Sequence, residues 1–349
     1  MIKKIGWGFG RCNQFCRHCY NASSWKAPVH DFETLKAVAD KICPQITDIN
    51  YGTGEFIVNP NALDLAKYIH AVYPKISQAV TSNGSTIIVM PNEDIKALFH
   101  DVDISLDFPS EARHNEFRGH PKAWSWAMGA LRKLQEIGVP RTLVTCVNSL
   151  TTDDDVERLL EIASEYGALW RVNWFREVGR GDSSLRIDAK RAWDVIGLLA
   201  TRSEFVTTDS IFGAVIGVPA KPCSAGRSTC RIHEGLSTSP YPFLKGPKWD
   251  GGNIADPSVT LQSIYDSKPF SILRSRKADL CSRCPFFERC LGGCATRAIL
   301  HADISQPDDY CPLKAGLDIS ALRQIKPKIT ESPDLVHDGY LCTTIVKPA

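Results

Sequence analysis

Short apolar runs alternate with longer amphipathic stretches over about the first 200 residues of the chain. The apolar runs have the length of strands, and the amphipathic stretches repeat their apolar positions with the period of a helix. The pattern predicts strands at residues 3–9, 47–51, 77–82, 102–106, 141–147 and 168–175. It predicts helices at residues 32–42, 62–72, 93–99, 123–137, 153–166 and 189–201, with Asp31 as an N-cap and Gly138 at a helix end.

Six strand–helix units predict an α/β fold with a parallel sheet and right-handed crossovers. Because a full barrel of this type has eight units, six predict a partial (β/α)6 TIM-like barrel over residues 1–205. Such barrels carry their chemistry in the loops that follow the strands, so functional residues are expected there. Beyond about residue 205 the periodicity fades while Pro and Gly become more frequent. This change predicts a small loop-rich domain over residues 206–318 and a tail without clear pattern over residues 319–349.

Composition narrows the class of protein. The 349 residues include 41 Lys and Arg against 39 Asp and Glu, so the net charge of +2 gives no basic footprint for nucleic acid. No apolar run approaches the ~18 residues of a membrane span, and the first ten residues lack the apolar core of a signal peptide. A cytoplasmic protein without nucleic-acid or membrane partners is therefore expected. Its 13 cysteines are odd in number and closely spaced, which favours metal binding over disulfides.

Three cysteines lie in the loop that follows the first predicted strand: Cys12, Cys16 and Cys19. Three thiolates at this spacing can hold three corners of one iron–sulfur cubane. Since such clusters usually take four cysteines, one iron is left open for another ligand. The alternatives are a zinc site or cysteines that only pack. Zinc takes four ligands, and His18, directly before Cys19, is poorly placed to be the fourth.

The spacing Cys-x3-Cys-x2-Cys, with the ring of His18 before the last cysteine, resembles the radical SAM superfamily. The resemblance implies a 4Fe–4S cluster whose open iron binds S-adenosylmethionine (SAM). It further implies reductive cleavage of SAM to a 5′-deoxyadenosyl radical, which abstracts hydrogen from a substrate C–H bond. A reductant such as flavodoxin or ferredoxin is the implied electron donor.

The resemblance also implies SAM contacts at the strand ends. These positions are Gly52, Thr53, Gly54, Glu55, Ser82, Asn83, Ser105, Asp107, Arg118, Asn148 and Asn173. Thr53 departs from the Gly-Gly-Glu segment that is common in the family. Arg118 is the predicted partner of the SAM carboxylate, because guanidinium groups pair well with carboxylates. Taken one at a time, each of these residues is more often a hydrogen-bonding residue of its own loop.

A second cysteine group resembles the SPASM extension of radical SAM enzymes, which binds two auxiliary iron–sulfur clusters. The expected type in this chain is 4Fe–4S. The group comprises Cys223, Cys230, Cys281, Cys284, Cys290, Cys294 and Cys311. The resemblance implies an outer cluster on Cys281, Cys284, Cys290 and Cys311, and an inner cluster on Cys223, Cys230 and Cys294. A zinc ribbon is the alternative for residues 281–294.

The first pair of this group departs from the family pattern. Only six residues separate Cys223 from Cys230, and three residues lie between Gly226 and Cys230. The inner cluster is therefore expected to have an open iron, a non-cysteine ligand such as His233, or a smaller core. Cys342 lies in the predicted tail and is a candidate hydrogen-atom donor to a substrate radical, against the simpler interpretation of a buried thiol.

Many SPASM enzymes modify ribosomally made peptides, so oxidation, cross-linking or epimerisation of a peptide is the expected reaction. Eleven residues precede Cys12, which leaves no room there for a fused leader-binding domain; a separate peptide-recognition protein is an expected partner. The second hypothesis is radical chemistry on a small molecule such as a sugar, aminocyclitol, nucleoside or tetrapyrrole. The third is a non-enzymatic zinc or iron–sulfur binding protein.

Overall fold

The computed structural model of the protein describes residues 1–22 and 26–349. The strands are β1 Lys4–Trp7, β2 Asp48–Tyr51, β3 Ser77–Ser82, β4 Asp101–Ser105, β5 Arg141–Val147, β6 Leu169–Trp174, β7 Ser203–Asp209, β8 Ala220–Lys221, β9 Thr229–Ile232, β10 Thr238–Ser239, β11 Lys328–Ile329 and β12 Thr343–Pro348. The α-helices are α1 Phe32–Ile42, α2 Ala62–Val72, α3 Asn92–Leu98, α4 Glu111–Arg118, α5 Ala123–Glu136, α6 Asp153–Glu165, α7 Ala189–Arg202, α8 Ser210–Ile216, α9 Leu261–Asp266, α10 Lys268–Arg274, α11 Phe287–Cys290, α12 Ala295–His301 and α13 Ile319–Leu322. Short 3₁₀ turns lie at Cys43–Gln45, Phe56–Val58, Ser183–Leu185, Pro247–Trp249 and Asp279–Cys281.

Strands β1 to β6 pair in parallel and in chain order, which confirms the predicted α/β fold with six strand–helix units. The full order is β10-β9-β1-β2-β3-β4-β5-β6-β12-β7-β11, and β8 pairs with β7. Over residues 1–22 and 26–349 the two ends of this order do not pair with each other, so the barrel is open. Because β1 to β6 run the same way, their carboxyl ends meet at one rim.

Alternation along the strands separates a polar interior from an apolar outer layer. In β4, Val102 and Ile104 join the large apolar core, and Asp101 and Asp103 are buried on the other face. The helices cover the outer face with their apolar stripes. Local signals set their ends: the side chain of Asp31 accepts a hydrogen bond from the backbone of Thr34 at the start of α1, as predicted.

The C-terminal segment, which was predicted to have no clear pattern, contains a strand. Residues 343–348 form β12, which lies antiparallel between β6 and β7, with Thr343 opposite Asn173 and Ile345 opposite Thr207. The prediction of a patternless tail is wrong at this strand. Thr343 to Val346 are all buried, so no alternation of polar and apolar residues marked them as a strand.

Two elements of the structure were not predicted from the sequence. One lies within the first 205 residues, and the other spans the domain boundary predicted at residue 205. Helix α4 follows β4 and ends at Gly119, whose φ of +63° suits glycine at a helix C-terminus. Strand β7 spans the boundary placed at residue 205. In the part of the chain that the structure describes, no helix has the length and apolar character required to cross a membrane.

Candidate active site

The loop after β1 presents the first three cysteines to one cavity. Cys12 and Cys19 are half-buried, Cys16 is buried, and all three line the cavity. Backbone hydrogen bonds fix the loop: Phe15 N donates to Arg118 O at 3.1 Å, and Arg180 N donates to Cys19 O at 3.0 Å. The three thiols therefore belong to a loop that the ends of other barrel units hold in place.

The cavity lies at the carboxyl ends of the strands and includes ≈ 1230 Å³ of space with its open mouth. Nine of the eleven predicted SAM contacts line it together with the three cysteines. These nine are Gly52, Thr53, Gly54, Ser82, Asn83, Ser105, Asp107, Arg118 and Asn173. The predicted cofactor contacts and the three cysteines therefore share one cavity.

The segment after β2 approaches the cysteine loop closely. Gly54 has a φ of +83°, and a Cβ built there would stand 2.2 Å from Arg11 O, so only glycine fits. Thr53 also has a positive φ, 72°, and its hydroxyl pairs with the Tyr20 hydroxyl at 2.6 Å. Thr53, which departs from the Gly-Gly-Glu pattern, thus places its hydroxyl group against Tyr20, the residue that follows Cys19.

Glu55 and Asn148 are the two predicted SAM contacts that do not line the cavity. Glu55 is fully buried; its carboxylate accepts from Ser82 Oγ at 2.6 Å and Asn83 N at 2.7 Å, and it also contacts Thr86 Oγ1. Glu55 thus holds the loop after β3, whose members Ser82 and Asn83 do face the cavity.

Asn148 is likewise occupied by its own loop. Its Nδ2 donates to Cys146 O at 2.8 Å, and its Oδ1 accepts from Leu150 N at 3.0 Å. The side chain is buried, so its amide is directed into the turn after β5 and away from the cavity. Short polar residues at loop starts commonly bond their own backbone in this way.

A buried charge pair stands beside Cys16. Arg118 Nε lies 2.6 Å from Asp107 Oδ2, and Arg118 Nη1 lies 4.0 Å from Cys16 Sγ. Burial alone would raise the pKa of Asp107, but Arg118 together with neighbouring imidazoles lowers it to about 2. Burial lowers the pKa of His18 to about 4, so this ring, stacked on Phe117 at 4.7 Å, is neutral at pH 7.

Arginines dominate the charge of the cavity wall. The guanidinium groups belong to Arg118, Arg171, Arg176, Arg180 and Arg231, and Asp107 is the acidic residue among the lining residues. Arg171 contacts Asp103 through Nη2, but its buried Nε and Nη1 have no partner among the described residues. Such unsatisfied buried donors are costly unless a ligand accepts from them.

Sequence reasoning missed Arg171 and Arg231. The alternation of Arg171 and Asn173 with Trp170, Val172 and Trp174 is a signal that could have identified Arg171 as facing the interior. Arg231 belongs to β9, a short strand in the region without clear periodicity, and its Nη2 donates to Gly52 O at 2.9 Å.

Four of the later cysteines surround a second, smaller cavity of ≈ 370 Å³. These are Cys281, Cys284, Cys290 and Cys311, the four predicted for the outer cluster. Apart from Gly292, the other lining residues are apolar, among them Ile211 and Phe286. Four thiols around a dry pocket are the donor set that iron–sulfur clusters use.

The structure does not bring Cys230 to Cys223 and Cys294. Cys230 lies in β9, and its thiol is directed at Arg231 O at 3.7 Å. Since Arg231 lines the large cavity, alternation places Cys230 on the opposite face of the strand, in the outer apolar core. The alternative ligand His233 is also engaged elsewhere, with Nε2 at 2.8 Å from Ser239 Oγ.

Cys342 stands where the inner site was expected to take Cys230. It lies close to Cys223 and Cys294: Arg176 Nη2 donates to both Cys294 Sγ and Cys342 O at 3.4 Å, and Ser224 Oγ, next to Cys223, donates to Tyr340 O at 3.3 Å. The preceding residues Tyr340 and Leu341 line the large cavity, while Cys342 itself is buried behind them. A role for Cys342 as hydrogen-atom donor stays a prediction.

Comparison with known proteins agrees with this geometry. The sequence model described as the Radical SAM superfamily matches residues 8–163. The chain is 27% identical over 334 residues to mycofactocin maturase MftC of Mycolicibacterium smegmatis, covering 91% of this chain and 84% of that protein. It is 24% identical to the AdoMet-dependent heme synthase of Nitratidesulfovibrio vulgaris over 354 residues, covering 89% and 92%.

The fold is similar to that of solved structures. Native anSMEcpe with bound AdoMet and Cp18Cys peptide superposes with a TM-score of 0.70 at 17% identity, covering 93% of this chain and 99% of that chain. At this identity the likeness concerns the fold, and it supports the partial barrel. Residues 8–163 thus match a domain of the Radical SAM superfamily, the three-cysteine loop and the cavity beside it agree with that match, and the similarity to a maturase indicates an enzyme.

Proposed function

We propose that this enzyme uses a SAM-derived radical to modify a ribosomally made peptide, by oxidation, cross-linking or epimerisation. The observation that carries the proposal is the convergence of Cys12, Cys16 and Cys19 with nine polar or glycine strand-end residues on one cavity. The similarity to a maturase over 91% of the chain supports a peptide substrate. So does the fold shared with anSMEcpe, which was solved with a peptide bound.

The residues present fit a 4Fe–4S cluster with one open iron. Cys12, Cys16 and Cys19 would hold it, and Gly54 lets the segment after β2 lie against this loop, so that both line the same cavity. When bound, the cluster supplies the electron that cleaves SAM to a 5′-deoxyadenosyl radical. Arg118 is positioned beside Cys16 to orient the SAM carboxylate, and its pairing with Asp107 fixes the guanidinium plane.

Residues 206–318 are proposed to form a SPASM-type domain with two auxiliary iron–sulfur clusters. The cavity bounded by Cys281, Cys284, Cys290 and Cys311 supports the outer cluster. A zinc ion would use the same four sulfurs, so the iron and sulfide content of the protein decides between the two. Auxiliary clusters can accept electrons from a substrate radical, which suits an oxidative reaction.

The cavity wall favours a substrate with an anionic group. Arg171 is 2% exposed, carries two unpartnered donors and lies on the middle of β6, below the strand ends. A carboxylate of the peptide would accept from one of these two donors, because guanidinium groups pair well with carboxylates. A reductant such as flavodoxin or ferredoxin, a separate peptide-recognition protein and a cytoplasmic location complete the proposal.

A small-molecule substrate is the second candidate, since the similarity to an AdoMet-dependent heme synthase extends over 92% of that protein. A tetrapyrrole also carries carboxylates, so the arginines fit it as well. The higher identity to the maturase, 27% against 24%, favours the peptide.

The test is anaerobic reconstitution with iron and sulfide, followed by reduction in the presence of SAM and measurement of 5′-deoxyadenosine. Production is expected in the wild type and is expected to be lost when Cys12, Cys16 and Cys19 are replaced by Ala. Precursor peptides encoded beside the gene are then examined for a mass change, with a tetrapyrrole as the competing substrate. A colourless protein loaded with zinc, or turnover by the triple variant, would contradict the proposal.

A further inference from the structure

Three thiols from distant parts of the chain meet beside the large cavity. Cys223 follows β8, Cys294 precedes α12 and Cys342 precedes β12. The three thiols interact with one another, and Arg176 Nη2 donates to both Cys294 Sγ and Cys342 O at 3.4 Å, which places the three residues around one centre. Cys223 and Leu341 also pack against the same small apolar cluster, which includes Ala295 directly after Cys294.

The position of Cys342 is fixed on both sides. Thr343, the next residue, begins β12 opposite Asn173. The backbone N–H of Cys342 donates to the Tyr241 hydroxyl at 2.8 Å, and Tyr340 O accepts from Ser224 Oγ at 3.3 Å. A thiol that merely fills a gap does not require such anchoring, whereas a metal ligand does.

The surroundings suit thiolates. Arg176 is 3% exposed, and its Nη2 donates to Cys294 Sγ and Cys342 O, both at 3.4 Å. Its charge favours the deprotonated form of a neighbouring thiol. Tyr241 and Leu244 belong to the apolar cluster on this side, which limits access of water.

We infer that Cys342, together with Cys223 and Cys294, ligates the inner auxiliary iron–sulfur cluster, and that Cys230 does not. The inference rests on the proposed SPASM-type domain. It explains the short spacing between Cys223 and Cys230, because Cys230 has no part in the site. Arg176 and Leu341 line the large cavity, so the cluster would lie directly beside the substrate.

The experiment compares iron and sulfide contents in a background that lacks the SAM-binding cluster. Cys12, Cys16 and Cys19 are replaced by Ala, and the full chain is reconstituted anaerobically. Two four-iron auxiliary clusters predict about 8 iron atoms per chain in this background. Added Cys342→Ala is expected to halve the iron content and remove one of two reduced-cluster EPR signals. Cys230→Ala, the matched buried control, is expected to keep both.

A second variant separates ligation from folding. Cys342→Ser preserves the shape of the side chain, so the apoprotein should keep its circular dichroism and thermal midpoint while losing or shifting the inner-cluster EPR signal. Retention of both signals in Cys342→Ala and Cys342→Ser, loss of one in Cys230→Ala, or zinc in place of iron would each overturn the inference. Because SAM cleavage is not measured here, failure of the proposed function would be seen separately, in the deoxyadenosine assay.

Discussion

His337 Nε2 lies 3.1 Å from Asp103 Oδ2 inside the barrel, and the other ring nitrogen of His337 contacts Asp101 Oδ2. Both carboxylates belong to β4 and are fully buried. The C-terminal segment therefore crosses the barrel interior, where a histidine pairs with two acidic residues, before it enters the sheet as β12. This connection is what brings Tyr340, Leu341 and Cys342 to the cavity side of the sheet.

The first prediction concerns this histidine. His337→Ala leaves two buried carboxylates without their shared partner, so the free energy of unfolding is expected to fall by about 3–5 kcal/mol. Urea denaturation of the apoprotein measures the change. The control is His100→Ala, because His100 also contacts the C-terminal segment, at Asp334 O, but is exposed. Equal stability of the two variants would contradict the role assigned to His337.

The pH dependence of that stability follows from Asp101. Burial would raise the pKa of Asp101, but the charge of His337 lowers it below its usual 3.8. A lowered pKa contributes stability above pH 3.8 that is lost as the pH falls through the lowered value. In His337→Ala the pKa of Asp101 should rise, so the part of the stability that Asp101 loses on acidification should become smaller. If the free energy of unfolding falls on acidification in His337→Ala as it does in the wild type, the coupling between His337 and Asp101 is contradicted.

Substitutions of Glu55 distinguish a role in positioning the loop after β3 from a direct contact with SAM. Glu55→Gln can keep an oxygen for Asn83 N and offer its amide to the hydroxyls of Ser82 and Thr86, which accept as well as donate. Glu55→Ala removes all three interactions. SAM affinity is expected to fall about tenfold or more in the alanine variant and little in the glutamine variant, since lost buried hydrogen bonds cost about 1–3 kcal/mol. Equal losses would indicate that the negative charge itself contacts SAM.

The sequence was sufficient for the elements that local pattern determines. Helices α1 and α2 match their predicted bounds because each has a full apolar stripe. The strand-end rule located nine cavity residues because all six parallel strands end at one rim. Glu55 and Asn148 obey the same rule in sequence, but Glu55 bonds the loop after β3 and Asn148 bonds its own loop, which no spacing reveals.

The remaining features depend on long-range contacts. The insertion of β12 between β6 and β7 joins residues about 170 positions apart, as in the pairing of Thr343 with Asn173. The inner cysteine set shows the same limit: Cys230 is near Cys223 in sequence, but the face of β9 directs it to the outer core. Cys342 is distant in sequence and close in space.

Replacing an outer cysteine or a cysteine of the first loop should lower the iron content equally but affect the response to SAM differently. In the otherwise unaltered chain, about 12 iron atoms are expected from three four-iron clusters. Cys284→Ala should lower this number by about 4 while the EPR signal of the remaining SAM-binding cluster still responds to added SAM. Cys16→Ala should also lose about 4 iron atoms but abolish that response. Loss of the SAM response in both variants would place Cys284 in the first site.

Arg171 tests the proposed anionic substrate. Arg171→Lys keeps a cation for Asp103 but removes the free Nε and Nη1 donors of the guanidinium group. Because hydrogen bonds to charged groups contribute about 1.5–3 kcal/mol, KM for the peptide should rise roughly 10- to 100-fold, with a smaller change in kcat. Arg17→Lys is the control, since Arg17 is exposed and donates to Ser184 Oγ at 2.9 Å. Amidation of the carboxylate that Arg171 binds should raise KM in the wild type and little further in Arg171→Lys. If amidation and the substitution act additively, the carboxylate binds elsewhere on the cavity wall.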